Sequence, residues 1–328
     1  MAISAAQVLA LIESHGENND HRFYATALQI AAKEARAGHT KIANQISDKV
    51  NKFQFSNYPQ SNLKNKIDSD KDIRGLIELY LPTHRLSELF LCEETKNRLN
   101  LIIKEHKRKD ELYKFDLKPR SKLLFEGNPG TGKTLAASVI ACELKLPLYK
   151  IILESVISKY MGDTASHLKK IFKYISENNG VFLFDEFDSI GSDRGNPNDV
   201  GESRRTLNSF LILLEQLQSE SVVIAATNHP QILDDALNRR FDDIIKFNLP
   251  TNLEIKDFLE NRLSKFSVSN INWEEILELS NGLSLGDINK AFDDGAKNAI
   301  FDNDGIIENK HLVISLKRRK YNRLNQRV

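Results

Sequence analysis

Residues 122–134 read KLLFEGNPGTGKT, and the fold can be worked out from this stretch. The apolar run Leu123–Phe125 predicts a buried strand, and the apolar pattern that follows Lys133 predicts a helix. Between them the glycines follow the spacing GxxxxGK[ST], which lets consecutive backbone N–H groups face one point at a helix N-terminus. The stretch therefore predicts a phosphate-binding loop in an α/β domain.

Each residue of this loop has an expected role. We expect Lys133 to reach the β- and γ-phosphates of ATP and the Thr134 hydroxyl to bind Mg²⁺. A chance glycine-rich turn is the alternative, but the strand pattern before it and the helix pattern after it disfavour that interpretation. The predicted nucleotide-binding residues of the segment are Asn128, Pro129, Gly130, Thr131, Gly132, Lys133 and Thr134.

A second apolar run, Val181–Phe184, ends in two adjacent acids, Asp185 and Glu186. Four consecutive apolar residues are typical of a strand that is covered on both faces. The strand's carboxyl end is where open α/β sheets bind ligands, so we expect Asp185 to hold Mg²⁺ through water. Glu186 is predicted to point the other way and to orient or deprotonate an attacking water. Without other motifs, two adjacent acids at a strand end would be interpreted as solvated turn residues. Because the phosphate loop is also present, the interpretation of Asp185 and Glu186 as catalytic acids is favoured.

Composition excludes several classes of protein. The 328 residues contain 46 Lys plus Arg and 45 Asp plus Glu, for a net charge of +1, which argues against a protein that coats nucleic acid but not against a local basic patch. No apolar run approaches the roughly 18 residues of a membrane-spanning helix. The N-terminus is interpreted as an amphipathic helix rather than a signal peptide. Two distant cysteines, Cys92 and Cys142, favour a reducing cytoplasm.

The pattern along the chain predicts four parts. Residues 1–54 form a small helical module, 55–80 a linker, 81–249 a large α/β nucleotide-binding subdomain, and 250–328 a small helical lid with a basic C-terminal tail. The predicted fold is α/β, with a doubly wound, mostly parallel five-stranded sheet followed by an all-α lid. The predicted strands are Lys122–Glu126, Leu148–Ile152, Val181–Asp185, Val222–Thr227 and Ile244–Phe247.

With these motifs the chain resembles the AAA family of ATPases over about 85–324. Ala225–Asn228 is similar to the family's sensor 1, which implies that Asn228 positions water against the γ-phosphate. Gly282–Ile288 resembles the sensor 2 segment, where backbone near Gly286 meets the nucleotide. Leu89–Leu91 corresponds to the adenine-contacting segment, and this implies contact from Phe90. The sequence of residues 97–250 resembles that of single-ring bacterial members of the family.

The resemblance also implies an assembly. Residues 233–242 match the second region of homology, whose arginine fingers correspond to Arg239 and Arg240. The Pro-Gly that many relatives have between the two arginines is absent, as in the meiotic clade. Since the family supplies these fingers in trans, the resemblance implies a homo-oligomeric ring, usually a hexamer.

The segment Ser158–Asp163 resembles the family's first pore loop, with an aromatic, a hydrophobic residue and a glycine. The residues it assigns to substrate contact are Lys159, Tyr160, Met161 and Gly162. An aromatic ring and a flexible Met form a grip that tolerates many side chains. The alternative is that Tyr160 packs in the core.

The predicted function is therefore an ATP-hydrolysing motor that remodels a protein substrate, with ATP and Mg²⁺ as cofactors. Any proteolysis would need a separate protease or effector as partner. Two alternatives stay open: a DNA-directed ATPase, such as a loader or transposition helper, and a nucleotide-dependent switch for a partner protein. The basic run Lys317–Lys320 also leaves open a contact with nucleic acid or an acidic partner.

Overall fold

The computed structural model describes residues 9, 11–14, 20–36, 42–46, 67, 70, 72–82, 84–157, 163–191, 199–230, 239–302 and 304–325. The chain divides into two compact units, Met1–Asp70 and Lys71–Val328. In the first unit, helix α1 (Asp20–Arg36) packs through Ala27 against Leu11, Phe23 and Ile46. Residues 11–14 and 42–46 are also helical. The position at which we predict this module to end, residue 54, lies outside the described residues.

The second unit is built on a six-stranded sheet in the order β1-β3-β4-β5-β2-β6. All neighbours pair in parallel except β1, which runs antiparallel to β3. The strands are β1 (Ile77–Tyr80), β2 (Lys122–Gly127), β3 (Leu148–Ile151), β4 (Val181–Phe184), β5 (Val222–Thr227) and β6 (Asp243–Phe247). The doubly wound α/β fold expected from the sequence is confirmed.

Helices cover both faces of this sheet. After a short 3-10 turn, Leu86–Glu88, they are α2 (Glu93–Lys107), α3 (Lys109–Tyr113), α4 (Lys133–Leu144), α5 (Leu153–Val156), α6 (Asp163–Glu177), α7 (Asp188–Gly191) and α8 (Asp199–Gln216). Strand β4 shows why two covered faces are needed. Val181 and Leu183 pack in one cluster with α2 and α4. Phe184, on the opposite face, lies 6.0 Å from the Phe172 ring of α6 and 5.0 Å from the Phe210 ring of α8.

The prediction of five strands is wrong by one, because β1 lies inside the range 55–80 that the sequence assigned to a linker. Its four residues, IELY, alternate between buried Ile77 and exposed Glu78 and Tyr80. An edge strand of this length has too few apolar residues to produce a recognisable period. Its antiparallel pairing with β3 extends the sheet at one edge.

The lid follows β6. It contains α9 (Asn252–Leu263), β7 (Ser267–Ser269), α10 (Trp273–Ser280), α11 (Leu285–Asp302), β8 (Ile306–Glu308) and α12 (Asn309–Asn325). Thr251 and Glu254 form a reciprocal capping box that starts α9. Ile255, Phe292 and Leu312 belong to a core separate from that of the sheet.

The prediction of an all-α lid is also wrong. Strands β7 and β8 form a two-stranded parallel sheet in the lid, so the lid is not all-α. The sequence Ser-Val-Ser of β7 offers one apolar residue, Val268, which pairs with buried Ile307. Three residues are too few for a periodic signal, and the pairing depends on a contact between distant segments.

In the described part of the chain, no helix combines the length and the apolar character needed to cross a membrane.

The tight packing of α11 against α12 gives a first prediction. A Cβ atom at Gly295 would lie 2.9 Å from the carbonyl oxygen of His311. Gly295→Ala should therefore push the two helices apart and lower the free energy of unfolding by about 1–2 kcal/mol, even though alanine favours the helix by itself. Thermal unfolding followed by circular dichroism measures the loss. Asn298→Ala, at an exposed position of the same helix, is the control and should leave the melting temperature unchanged or slightly raised. An equal or higher melting temperature for Gly295→Ala would contradict the packing.

Candidate functional site

A cavity of about 570 Å³ lies where the carboxyl ends of β2, β4 and β5 meet the lid. Most of its walls come from the phosphate loop, the segment before α2, and helices α9 and α11. The residues lining it are His84, Glu88, Leu89, Phe90, Leu91, Pro129, Gly130, Thr131, Gly132, Lys133, Thr134, Leu135, Asp185, Glu186, Asn228, Phe258, Leu285, Gly286 and Asn289. Its volume is in the range of small-molecule sites.

The loop between β2 and α4 keeps its shape because two glycines allow close approaches. A Cβ atom at Gly127 would lie 2.2 Å from the carbonyl oxygen of Phe247, and one at Gly130 would lie 2.5 Å from Ser284 Oγ. Gly130 also has φ = 77°, which other residues rarely adopt. Helix α4 then starts at Lys133, so the positive end of its dipole faces the cavity.

Lys133 is 7% exposed, and its ammonium donates three hydrogen bonds. The acceptors are the carbonyl oxygens of Gly127, at 2.6 Å, and Asn128, at 2.9 Å, and the side-chain oxygen of Asn228, at 2.8 Å. Burial lowers the pKa of Lys133 below its ordinary value, although the charges of Asp185 and Asp188 oppose this. The phosphate loop and the end of β5 are thus joined by a direct side-chain bond.

Asp185 follows β4 and contacts the first turn of α4. The Thr134 hydroxyl donates to Asp185 Oδ2 at 3.1 Å. A second donor, Lys150 Nζ on β3, lies 3.1 Å from the same oxygen. The two residues predicted as metal ligands, Thr134 and Asp185, are therefore adjacent. Lys150 was not among the predicted site residues; its signal is a single charged residue within an apolar strand.

Glu186 occupies a turn rather than an extension of the strand. Strand β4 ends at Phe184, and Glu186 is exposed with φ = 52°. Its backbone N–H lies 3.2 Å from Asp185 Oδ1, and the next N–H, of Phe187, bonds Ala226 O at 2.8 Å. The expectation that Glu186 points away from Asp185 assumed strand alternation, which does not extend this far, and both acids line the same cavity.

Asn228 is held in place by an acid that the sequence interpretation missed. Asp188 Oδ1 accepts hydrogen bonds from Thr227 Oγ1 and from the backbone N–H of Asn228, both at 3.0 Å. Asp188 begins α7, two residues after Glu186. The signal in the sequence is a third acid that follows the pair Asp185–Glu186 after one intervening residue, Phe187.

The lid touches the phosphate loop through glycine. Gly286 N donates to Gly130 O at 3.0 Å, and a Cβ atom at Gly286 would lie 3.2 Å from Gly130 Cα. Ser284, the residue directly before α11, donates to Asp287 Oδ2 at 2.8 Å. Sequence reasoning pointed to Gly286 but not to Ser284.

The basic end of α12 also reaches this segment. Arg323 Nη1 donates to Gly282 O at 2.7 Å and to Asp287 Oδ2 at 3.3 Å. Lys320 donates to Glu278 O at 3.1 Å, and Arg319 pairs with Asp294 at 2.9 Å. These cations are bound within the lid.

An aromatic pair lies at another wall of the cavity. The rings of Phe90 and Phe258 are 5.3 Å apart and nearly perpendicular. Both line the cavity, with buried Leu89 and Leu91 beside them. Phe258, from α9, gave no signal in the sequence because it lies in an ordinary amphipathic helix. This wall offers an apolar surface to a flat ring.

Arg239 and Arg240 are placed differently. Neither is among the described residues that line the cavity. Arg239 is exposed, and Arg240 Nε lies 3.4 Å from a carboxylate oxygen of Glu215. The chain directly after them is anchored at the start of β2, where Asp242 Oδ2 accepts the N–H groups of Ser121 and Lys122 at 2.8 and 2.9 Å.

The predicted pore-loop residues Lys159, Tyr160, Met161 and Gly162 lie outside the described residues, as do residues 231–238 before the two arginines.

Comparisons with known proteins agree with this site. The family model described as "ATPase family associated with various cellular activities (AAA)" matches residues 123–249. The chain is 33% identical over 260 residues to an uncharacterized AAA family ATPase of Sinorhizobium fredii, y4kL, and this match covers 79% of this chain and 78% of that one. It is 32% identical over 209 residues to a putative 26S proteasome regulatory subunit homolog of Methanothermobacter marburgensis. That match covers 62% of this chain and 56% of the relative.

Among solved structures, the crystal structure of the FIGL-1 AAA domain matches this fold with a TM-score of 0.61. The match covers 80% of this chain and 90% of the FIGL-1 chain. At 24% identity, that likeness concerns the fold. The match to the Sinorhizobium protein reaches further, because 33% identity extends over 78% of that protein. The chain therefore belongs to the AAA family of ATPases, and its reaction is the hydrolysis of ATP.

Proposed function

We propose that this chain is an ATP-driven motor that assembles into a homo-oligomeric ring, a hexamer, and remodels, unfolds or disassembles protein substrates through a central pore. The observation that carries the proposal is the convergence on one cavity of the phosphate loop, the acids after β4 and the amide after β5, joined by the bonds Lys133–Asn228 and Thr134–Asp185. The likeness to a proteasome regulatory subunit homolog supports a protein as substrate.

The residues present fit ATP with Mg²⁺. Gly127 and Gly130 let the loop lie closer to Phe247 and Ser284 than any side chain would allow, and the loop ends at a helix N-terminus, which favours an anion. Thr134 and Asp185 offer a hydroxyl and a carboxylate oxygen within one small region, and oxygen ligands are those that Mg²⁺ prefers. We propose that these two residues hold the metal, which neutralises charge on the phosphates when bound.

The remaining residues divide the work of hydrolysis. Lys133 exchanges its present carbonyl and amide acceptors for phosphate oxygens. Asn228, fixed through Asp188, orients the attacking water, and Glu186, exposed to the cavity, accepts a proton from it. Phe90 and its ring partner Phe258 would contact the adenine ring, and the hydrogen bond from Gly286 to Gly130 joins the lid to the phosphate loop. Closing the lid excludes water from the reacting phosphate.

The placement of the two arginines supports supply of the fingers to a neighbouring subunit. Arg239 and Arg240 follow the sensor 1 region yet do not line this chain's own cavity. Since an arginine finger must approach the transferred phosphate, a pair that does not line the cavity of its own chain fits a neighbour's site. The anchoring of Asp242 to the start of β2 would link the fingers to the strand that leads into the phosphate loop.

Substrate handling rests on the resemblance at 158–163. We propose that Tyr160 and Met161 grip the polypeptide, with Lys159 and Gly162 shaping the loop. The intramolecular bonds of Lys320 and Arg323 weaken the case for nucleic acid as the partner. A separate protease or effector acts with the ring if the substrate is degraded. The free thiols of Cys92 and Cys142 support a cytoplasmic location.

Stimulation of ATP hydrolysis by candidate substrates tests the whole proposal. Unfolded protein should raise the rate, whereas duplex or single-stranded DNA should not. Stimulation by DNA alone would favour a DNA-directed ATPase, and a slow rate that no polymer changes would favour a regulatory switch.

The separate roles of phosphate cradle and water activation give a second prediction. Lys133→Ala should weaken ATP binding at least about 100-fold, since charge-assisted hydrogen bonds to phosphate are lost. Glu186→Gln should keep binding and lower the turnover number about 10²–10⁴-fold, the range of general-base catalysis. Titration with a fluorescent nucleotide and a phosphate-release assay measure the two quantities. Equal loss of binding in both variants would show that the roles are wrongly assigned.

The trans arrangement gives a third prediction, by subunit mixing. Arg240→Ala and Lys133→Ala should each be nearly inactive alone, because a finger contributes about 10³–10⁵ in rate. Mixed together they should regain activity, since one supplies the finger and the other an intact phosphate loop. Lys133→Ala mixed with Glu186→Gln is the control and should stay inactive, as both defects lie within the site of a single chain. A monomer that is fully active at every concentration would refute the ring.

The fourth prediction concerns Tyr160. If it is a grip, Tyr160→Ala should change stability by no more than about 0.5 kcal/mol and leave basal hydrolysis intact, while substrate remodelling is lost. If the Tyr160 side chain is instead in the core, its truncation should lower the free energy of unfolding by about 3–5 kcal/mol, and the variant should melt at a lower temperature. Thermal melting and ATPase assays separate the two outcomes. Tyr160→Phe should retain remodelling, and Tyr321→Ala, at a tyrosine 65% exposed in the lid, is a matched control. Remodelling by Tyr160→Ala at the wild-type rate would exclude threading by this residue.

A further inference from the structure

One carboxylate oxygen of Asp185 contacts two donor side chains at once. Oδ2 lies 3.1 Å from Thr134 Oγ1 and 3.1 Å from Lys150 Nζ. The side chains of Lys150 and Asp185 are 37% and 16% exposed, so solvent screens the ion pair only in part. The lysine lies on β3 and belongs neither to the phosphate loop nor to the end of β4, and it is not among the described residues that line the cavity.

The register of the sheet explains how Lys150 reaches the site. Strand β3 pairs in parallel with β4 so that Lys150 lies beside Leu183, two residues before Asp185. Neighbours across a sheet share a face, and two residues of strand cover about 7 Å. A lysine side chain is long enough to span that distance. Tyr149 and Ile151, the neighbours of Lys150 in the chain, are buried and hold β3 in place. The Lys150 ammonium therefore lies at the carboxyl edge of the sheet.

Lys150 does not duplicate Lys133. The ammonium of Lys133 bonds Gly127 O, Asn128 O and Asn228 Oδ1. Its acceptors belong to the phosphate loop and β5, whereas Lys150 pairs with the carboxylate that we assign to the metal. An ammonium and a divalent cation at one carboxylate repel each other, even where a water lies between the metal and the carboxylate. The ion pair of Lys150 with Asp185 therefore opposes the binding of Mg²⁺ at that carboxylate.

We propose that Lys150 neutralises Asp185 when no divalent cation is bound, and that its positive charge opposes the entry of Mg²⁺. Lys150 is then a positioning residue that sets the Mg²⁺ concentration at which the site binds nucleotide tightly. The inference rests on the proposed function, because it takes Thr134 and Asp185 as the residues that hold the metal.

The test measures nucleotide binding rather than turnover. Wild type and Lys150→Met are titrated with free Mg²⁺, starting from EDTA, in the presence of a fluorescent, non-hydrolysable ATP analogue. The half-saturating Mg²⁺ concentration should fall up to about five-fold in Lys150→Met, the factor that corresponds to a partly exposed ion pair. Lys150→Arg, which keeps the charge, should stay within about two-fold of wild type.

A matched lysine controls for a general change of charge. Lys170 is 39% exposed and pairs with Asp72 at 2.9 Å, away from the residues of the cavity. Lys170→Met should leave the Mg²⁺ dependence at the wild-type value. Circular dichroism checks folding, and Lys150→Gln replaces Lys150→Met if the methionine variant does not fold.

The outcomes separate this inference from the proposed function. An unchanged or higher half-saturating Mg²⁺ concentration in the folded variant overturns the role of Lys150 and leaves the metal site intact. Nucleotide binding by wild type that does not depend on Mg²⁺ overturns the metal site itself.

Discussion

The parallel pairing of β2, β5 and β4 is the constraint on which the site depends. Glu126 lies beside Thr227, and Ala225 beside Phe184, so the three strands end at one edge of the sheet. The phosphate loop, Asn228 and Asp185 are the residues that follow these ends. They meet because backbone hydrogen bonds set the register, and a slip of one residue would turn each of these side chains to the opposite face. The hydrogen bonds between these residues depend on that strand pairing, and they in turn hold the strand ends together.

The second requirement is electrostatic, since charged groups at the edge of a buried sheet need partners. Asp188 binds Thr227 and the backbone of Asn228, Asp185 binds Thr134 and Lys150, and Lys133 binds carbonyl and amide oxygens. The partners of Lys133 and Asp185 are ones that a bound nucleotide or metal could replace, whereas Asp188 holds Thr227 and Asn228 in place. Unpaired, such groups would cost several kcal/mol each. The charges of the site thus compensate one another without ligand, and we propose that ligand binding proceeds by exchange of partners.

The sequence predicted the parts of this architecture that depend on local chemistry. The glycine spacing at 127–132, the run Val181–Phe184 and the acids after it have signals within a few residues, and five strands of the main sheet were located from such signals. Strands β1, β7 and β8 escaped because each has three or four residues and forms through pairing with a distant segment. Lys150, Asp188, Ser284 and Phe258 escaped for a related reason. Their importance lies in what the fold places beside them, and single residues in ordinary strands and helices carry no pattern of their own.

The contact between the lid and the phosphate loop shows how residues that the fold brings together can couple one part of the molecule to another. Gly286 and Gly130 approach so closely that a Cβ atom on Gly286 would meet Gly130 backbone at 3.1–3.2 Å, and one bond joins their main chains. The lid cannot slide over the loop without breaking that bond. Asp287, one residue further on, is held by Ser284 and by Arg323 of α12. Because α12 also packs against α11 in the lid core, a shift of the phosphate loop that displaced Gly286 would move this end of α12 with it. The C-terminal helix is therefore mechanically coupled to the nucleotide site through two side-chain bonds and one backbone bond.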